Sequence, residues 1–252
     1  MALQEELNSQ GAFLFKHRSN LPLLLLVSGI LIKLYQEHTY VSHHPQSMLS
    51  GILESMAFVV GMLGLVIRAF TVGYTPKNTS GRNTDQGQVA DSLNTTGMYS
   101  LIRNPLYLGN YLMWLGVAML TGNVWFIAIF SLTFWIYYER IVFAEENFLR
   151  KKFGQHYLDW ASKTAPFLPT SFRYKSPDTP FSWKKVLKKE KNGFFALFLV
   201  FFIFEASAEY AVNGTLRTEI DWLLIGTVAS GIAYTILKYI KKYTGLLNEQ
   251  GR

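Results

Sequence analysis

Six runs of this chain are apolar enough to lie across a bilayer, and they constrain its fold more than any other feature. They fall at approximately 20–36, 48–70, 105–121, 123–143, 193–213 and 220–240, against the roughly 20 apolar residues that a spanning helix needs. The first is short and carries Lys33, whose amine can snorkel toward the interface. Only "TGN" at 121–123 separates the third run from the fourth, so those two must fold back as a tight antiparallel hairpin. Charged residues make up 16% of the chain, below the roughly 25% usual in soluble domains. The expected fold is therefore all-α: a polytopic membrane bundle of about six transmembrane helices, with a cytosolic helical segment after the fourth span.

The basic residues orient this bundle. Residues 140–192 hold 12 of the 24 Lys and Arg, including "KKVLKKEK" at 184–191. Lys16 and Arg18 precede the first span, Lys77, Arg82 and Arg103 lie between the second and third, and Lys238, Lys241, Lys242 and Arg252 close the chain. The alternate turns are nearly free of cations: 37–47 and 121–123 have none, and 211–219 has only Arg217. Basic loops on one side mark the cytoplasmic face, so both termini are expected there, in a cell membrane of the bacterial inner-membrane type. The net charge of +7 is accounted for by this orientation and by contact with anionic lipid, and nucleic acid is not an expected partner. Two Glu stand before the first apolar run, which is a poor secretory signal. Without cysteine there is neither a disulfide framework nor a thiolate metal site, and no metal is expected.

One polar stretch, "TVGYTPKNTSGRNTDQGQVADSLNTT" at 71–96, leads into "GMYSLIRNPLYLGN" at 97–110. Loops of this length usually carry function or are disordered; function is the expectation here. Taken singly, the residues of the second stretch have structural explanations. Asn104 can cap a helix and Pro105 suits its first turn, while Gly109 and Gly116 permit close helix packing. Taken together they place Arg103 where a helix amino terminus meets the cytoplasmic membrane face. The hairpin returns the chain to that face at "YYERIVFAEENFLRKKFGQHYLDW" (137–160), so Arg103, Tyr99 and Tyr107 should lie near Arg140, Glu145 and Glu146. Glu146 also stands four residues before Arg150, the spacing of a surface helical pair.

"GMYSLIRNPLYLGN" resembles the Gly-x-Tyr-x-x-x-Arg-His/Asn-Pro-x-Tyr-x-Gly signature of the isoprenylcysteine carboxyl methyltransferase and phospholipid methyltransferase superfamily. "EENFLRKKFGQHYLDWASKTAPFLP" resembles the second block of that superfamily, and the two together cover roughly 91–169. The resemblance implies S-adenosylmethionine as cofactor, bound at the cytoplasmic face, and a lipid-like methyl acceptor admitted from the bilayer. Position by position it implies cofactor contacts from Leu93, Asn94, Gly97, Tyr99, Arg103, Asn104, Pro105, Tyr107 and Glu145, with catalytic roles for Arg103, Arg140 and Glu145. Asp91 and Asn104 stand where eukaryotic members have His, so imidazole chemistry is not essential here; methyl transfer from a sulfonium needs alignment more than acid–base help. On this reading 1–252 is one membrane domain. Spans 1–2 occupy 1–70, a cofactor-binding catalytic core 71–170, and spans 5–6 residues 171–252.

The acceptor stays open among an isoprenylcysteine, an amine head group and an anionic oxygen. Arg68, Lys77, Arg82, Arg103 and Arg140 at one face favour the last: a carboxylate, or a phosphate such as that of a lipid A-like molecule. An NADPH-dependent membrane reductase, whose family carries a similar Arg-His-x-x-Tyr-x-Gly element, is the enzyme alternative, and a transporter or structural membrane protein the non-enzymatic one. Glu54, Glu205 and Glu209 lie within apolar runs and are costly to bury unless paired, with Lys33 or Arg217 as the expected partners.

Overall fold

The computed structural model describes residues 2–18, 20–41, 48–79, 82–84, 87–215 and 220–251. Seven α-helices are described: α1 (Leu3–Lys16), α2 (Asn20–Gln36), α3 (Met48–Tyr74), α4 (Pro105–Met119), α5 (Val124–Ala161), α6 (Trp183–Asn213) and α7 (Trp222–Tyr243). A short antiparallel ribbon, β1 (Arg82–Thr84) with β2 (Gly87–Val89), interrupts the polar stretch between α3 and α4. Each of the six apolar runs forms a helix, but only α3, α5, α6 and α7 have the length and composition to cross a bilayer. With 17 and 15 residues, α2 and α4 are shorter. At 1.5 Å per residue α4 spans about 22 Å, less than a hydrocarbon core of about 30 Å. Of the six expected spans four are long enough; Pro105 and the 121–123 turn cut α4 short at both ends, and α2 gives way to a π-helical stretch at Glu37–Val41.

The turn itself is held by short side chains. Thr121 donates to the Ala118 carbonyl at 2.7 Å and accepts from the Asn123 amide at 3.2 Å. Asn123 then caps α5 by accepting from the Phe126 amide at 3.0 Å, satisfying an amide that the helix leaves without a partner. α4 is the central helix of two buried clusters. Ala118 packs with Phe126, Phe130, Phe134 and Tyr138 of α5, while Val117 and Leu120 pack with Ala57, Leu197, Phe201 and Phe204 of α3 and α6. Its contact with α3 is close enough for backbones to touch. A Cβ on Gly64 would meet the Gly109 carbonyl oxygen at 2.5 Å, and one on Gly116 the Ala57 carbonyl oxygen at 2.5 Å, the small-residue packing common between membrane helices. Outer faces stay apolar: Trp125, Ile129 and Leu132 of α5 and Ile225, Val228, Ile232 and Ile236 of α7 are exposed, as lipid contact requires.

Two features depart from the sequence reading. The residues before the first span form α1, which lies along α5. Gly11 sits against the Arg140 carbonyl, Tyr137 donates to the Leu14 carbonyl at 3.0 Å, and Arg140 Nε donates to Gln10 Oε1 at 2.9 Å. The helical segment expected after the fourth span is present but follows on from it directly, as two helices joined across a kink. α5 runs on to Ala161 through a break at Gly154, whose φ of 56° lies in the left-handed region that glycine enters without penalty. Lys33 pairs with Glu37 at 2.8 Å, within its own stretch of chain. Arg217, the other expected partner, lies outside the described residues.

Candidate active site

Where α5 carries Arg140, Glu145, Glu146 and Arg150 it has left the apolar part of its length, and there the chain builds a chamber. The segment after α5 runs back beside the start of α4. The Arg103 and Asn104 amides donate to the Ala165 and Pro166 carbonyls at 2.8 and 3.1 Å, and the Trp160 indole donates to the Tyr99 carbonyl at 3.2 Å. Arg103 fastens these pieces together. Its Nε reaches Glu146 at 2.9 Å, and its Nη1 the Ala161 and Thr164 carbonyls at 2.9 and 3.1 Å. Glu146 therefore answers Arg103, 43 positions away, and not Arg150. Asn104 precedes α4 without capping it by a side-chain hydrogen bond; its amide group donates to the Pro166 carbonyl at 3.2 Å.

The result is one cavity of about 510 Å³ at the end of the bundle. Tyr99, Arg103, Asn104, Tyr107 and Glu145 line it together. Arg68, Lys77 and Glu146 line it as well, whereas Leu93, Asn94, Gly97, Pro105 and Arg140 do not. Asn94 donates to the Thr79 carbonyl at 2.9 Å and holds the polar loop, with Leu93 beside it. The Gly97 amide donates to the Lys175 carbonyl at 2.9 Å, and Pro105 is buried at the first turn of α4. Arg140 is the clear departure: it lies in a separate groove between α1 and α5, held by Gln10. The 3.6-residue helical period explains this, since Arg140 sits five positions before Glu145 and so on a different face of α5.

Inside the chamber Tyr107 donates to Glu145 Oε2 at 2.7 Å. Burial pushes the Glu145 carboxyl up to about 7, against the opposing pull of the Tyr107 hydrogen bond and the Arg18 charge. Burial, and then the charge of Glu145, raise the Tyr99 phenol well above its ordinary value. Among the described residues Glu145 forms no ion pair. A buried carboxyl with a raised pKa in a cleft marks a functional site more often than a structural one.

The far wall comes from residues that sequence reasoning did not assemble. Arg68 of α3 grips Glu190 of α6 through two hydrogen bonds of 2.8 Å and Asn110 of α4 through one of 2.6 Å. Lys185 reaches the Thr75 hydroxyl and the Pro76 carbonyl, both at 3.1 Å. The chain's last residues fold across this wall: Leu247 and Glu249 line the cavity, and Glu249 accepts a hydrogen bond from Ser182, the N-cap of α6. Two signals were available in sequence: Arg68 is a lone cation in an apolar run, and Glu190 a lone acid among lysines.

Fold and site together define an integral membrane protein with a polar chamber at one end of a helical bundle. Residues 56–156 match the family described as phospholipid methyltransferase. Over 168 residues the chain is 29% identical to the nickel-cobalt-cadmium resistance protein NccN of Alcaligenes xylosoxydans xylosoxydans, covering 67% of this chain and 72% of that protein. It is 29% identical over 124 residues to the cobalt-zinc-cadmium resistance protein CzcN of Cupriavidus metallidurans, covering 49% of this chain and 54% of the relative. With the protein-S-isoprenylcysteine O-methyltransferase of Schizosaccharomyces pombe it shares 33% over 90 residues, 36% of either chain. The chain thus spans about half of CzcN and about a third of the yeast enzyme. No solved structure matches. Through this core the chain is similar to the phospholipid methyltransferase family and to the isoprenylcysteine O-methyltransferases. Among the described residues no three His, Cys, Asp or Glu come together as a metal site.

Proposed function

We propose that this protein transfers a methyl group from S-adenosylmethionine to a lipid or lipidated acceptor at the cytoplasmic face of the membrane, onto the oxygen of a carboxylate or phosphate. The observation that carries the reading is Glu145: a buried carboxyl on the side of the chamber that the family core supplies, without an ion pair among the described residues. A ligand ammonium or sulfonium supplies the missing charge, and the Tyr99 and Tyr107 rings favour a cation beside them. The cavity volume lies within the roughly 300–1,000 Å³ usual for cofactor-sized ligands. The residues present therefore fit the group. When bound, S-adenosylmethionine supplies an electrophilic methyl on a sulfonium.

The chain's own residues then have to orient and to exclude water. Glu145, fixed by Tyr107, holds the cationic end. Arg103 is a positioning residue whose contacts with Glu146 and the 161–164 carbonyls keep the two walls together, leaving Nη2 for a ligand carboxylate. No general base is needed for an acceptor oxygen that is already anionic, so alignment supplies most of the acceleration. The apolar helices leave the acceptor's tail in lipid. Membranes containing the protein, incubated with methyl-labelled S-adenosylmethionine, should yield a labelled lipid whose label is base-labile or phosphate-linked, and Glu145→Ala should lower the yield at least 100-fold. Label found only on nitrogen would contradict the oxygen acceptor, and no protein-dependent label would contradict methyl transfer.

A further inference from the structure

Arg18 is a chamber cation that neither the family core nor an ion pair among the described residues explains. It lies outside the matched residues 56–156, in the short link between α1 and α2, yet lines the same cavity as Glu145 and Tyr107. Its place is fixed from both sides. The guanidinium sits over the Phe15 ring at 4.3 Å, and Phe15 is buried in the cluster that includes Phe134 and Tyr138. α1 is in turn locked along α5 by the bonds from Tyr137 and Arg140. Among the described residues the ion pairs belong to Lys33, Arg68 and Arg103, and none involves Arg18. The electrostatic influence of Arg18 reaches Glu145.

We propose that Arg18 is a specificity-determining residue for the methyl acceptor, binding the anionic oxygen group of a lipid-like acceptor at the chamber's membrane edge. This rests on the methyl-transfer reading above. Two features point to the acceptor and not to the cofactor. The arginine is contributed by an element outside the family core, and it stands just before α2 enters its apolar run, the level at which lipid head groups lie. A guanidinium holds a carboxylate or phosphate through two parallel hydrogen bonds. In the step, an acceptor oxygen lone pair forms the new C–O bond as the methyl C–S bond breaks. Sulfur keeps that electron pair, sulfonium and oxyanion are both neutralised by one charge, and no proton moves.

The full chain in phosphatidylcholine nanodiscs tests this, with oleate or phosphatidic acid as carboxylate or phosphate acceptor and phosphatidylethanolamine as amine control. Wild type should methylate an anionic acceptor and not the amine. Assayed at a pH above the Glu145 midpoint, Arg18→Gln should raise KM for that acceptor at least tenfold and leave the Kd of S-adenosylmethionine within twofold, while Arg18→Lys restores only part of the loss because an ammonium does not reproduce the two parallel bonds. Intact cofactor affinity in the variant shows that the fold is retained. An unchanged acceptor KM, or a tenfold loss confined to cofactor affinity, would overturn the role of Arg18 while leaving methyl transfer standing. Wild type that methylates none of the three lipids would overturn both.

Discussion

At the scale of single residues, chemistry concentrates on one carboxyl. Glu145 titrates near 7 because burial penalises its charge; a cationic ligand favours the ionised form and so must displace a proton when it binds. The sign follows by linkage: below about pH 7 the free chamber is protonated and part of the binding energy goes to removing that proton, so affinity rises with pH. Between pH 6 and pH 8 the affinity for S-adenosylmethionine should increase about tenfold, as read by calorimetry with net proton release at pH 6. Tyr107→Phe removes the hydrogen bond that favours the carboxylate and should move the midpoint to higher pH; Glu145→Gln should abolish the dependence. A wild-type affinity flat across this range would contradict the assignment. Tyr99, Arg103, Asn104, Tyr107 and Glu145 were legible as a group from two motifs and a hairpin. Arg140 was misplaced because five positions along a helix turn its side chain to a different face from that of Glu145.

At the scale of elements, the chamber depends on ties between helices that share no motif. Arg68, Asn110 and Glu190 join α3, α4 and α6 through bonds of 2.6 to 2.8 Å. Arg68→Ala leaves Glu190 buried without its partner, and breaking such a pair costs about 3–5 kcal/mol. The double variant Arg68→Ala/Glu190→Gln removes the orphaned charge and should recover a large part of that loss. Thermal unfolding in detergent measures both. Equal stability of the wild type and the single variant would show that the tie does not hold the bundle. The apolar runs made α2 to α7 readable, since hydropathy reports on burial in lipid whatever the tertiary contacts. By contrast α1 was not, because its stability comes from packing on α5 and not from a long apolar face. Similarly, no local pattern announces that the chain's last residues cover the chamber; only the folded contact between Glu249 and Ser182 shows it.

For the whole molecule, the proposal needs one orientation: the chamber in the cytosol and the α4–α5 turn on the other side. The chain has no cysteine, so single introduced cysteines report sidedness without background. Lys175→Cys should react with a membrane-impermeant maleimide only in inverted vesicles, and Val124→Cys only in intact cells. The reverse pattern would turn the molecule over and place the chamber away from cytosolic cofactor. Charge along the chain is what predicts this topology, whereas the number of spans depends on helix lengths that the turn and Pro105 set locally.

The central claim is that the start of α4 and the charged half of α5 grip one cofactor between them. Ultraviolet crosslinking of methyl-labelled S-adenosylmethionine to the protein in nanodiscs, with labelled peptides mapped by mass spectrometry, tests it most directly. Saturable label should appear in residues 97–110 and 139–160, compete with unlabelled cofactor and disappear in Glu145→Ala. Label confined to other helices, or label that excess cofactor fails to displace, would contradict the account.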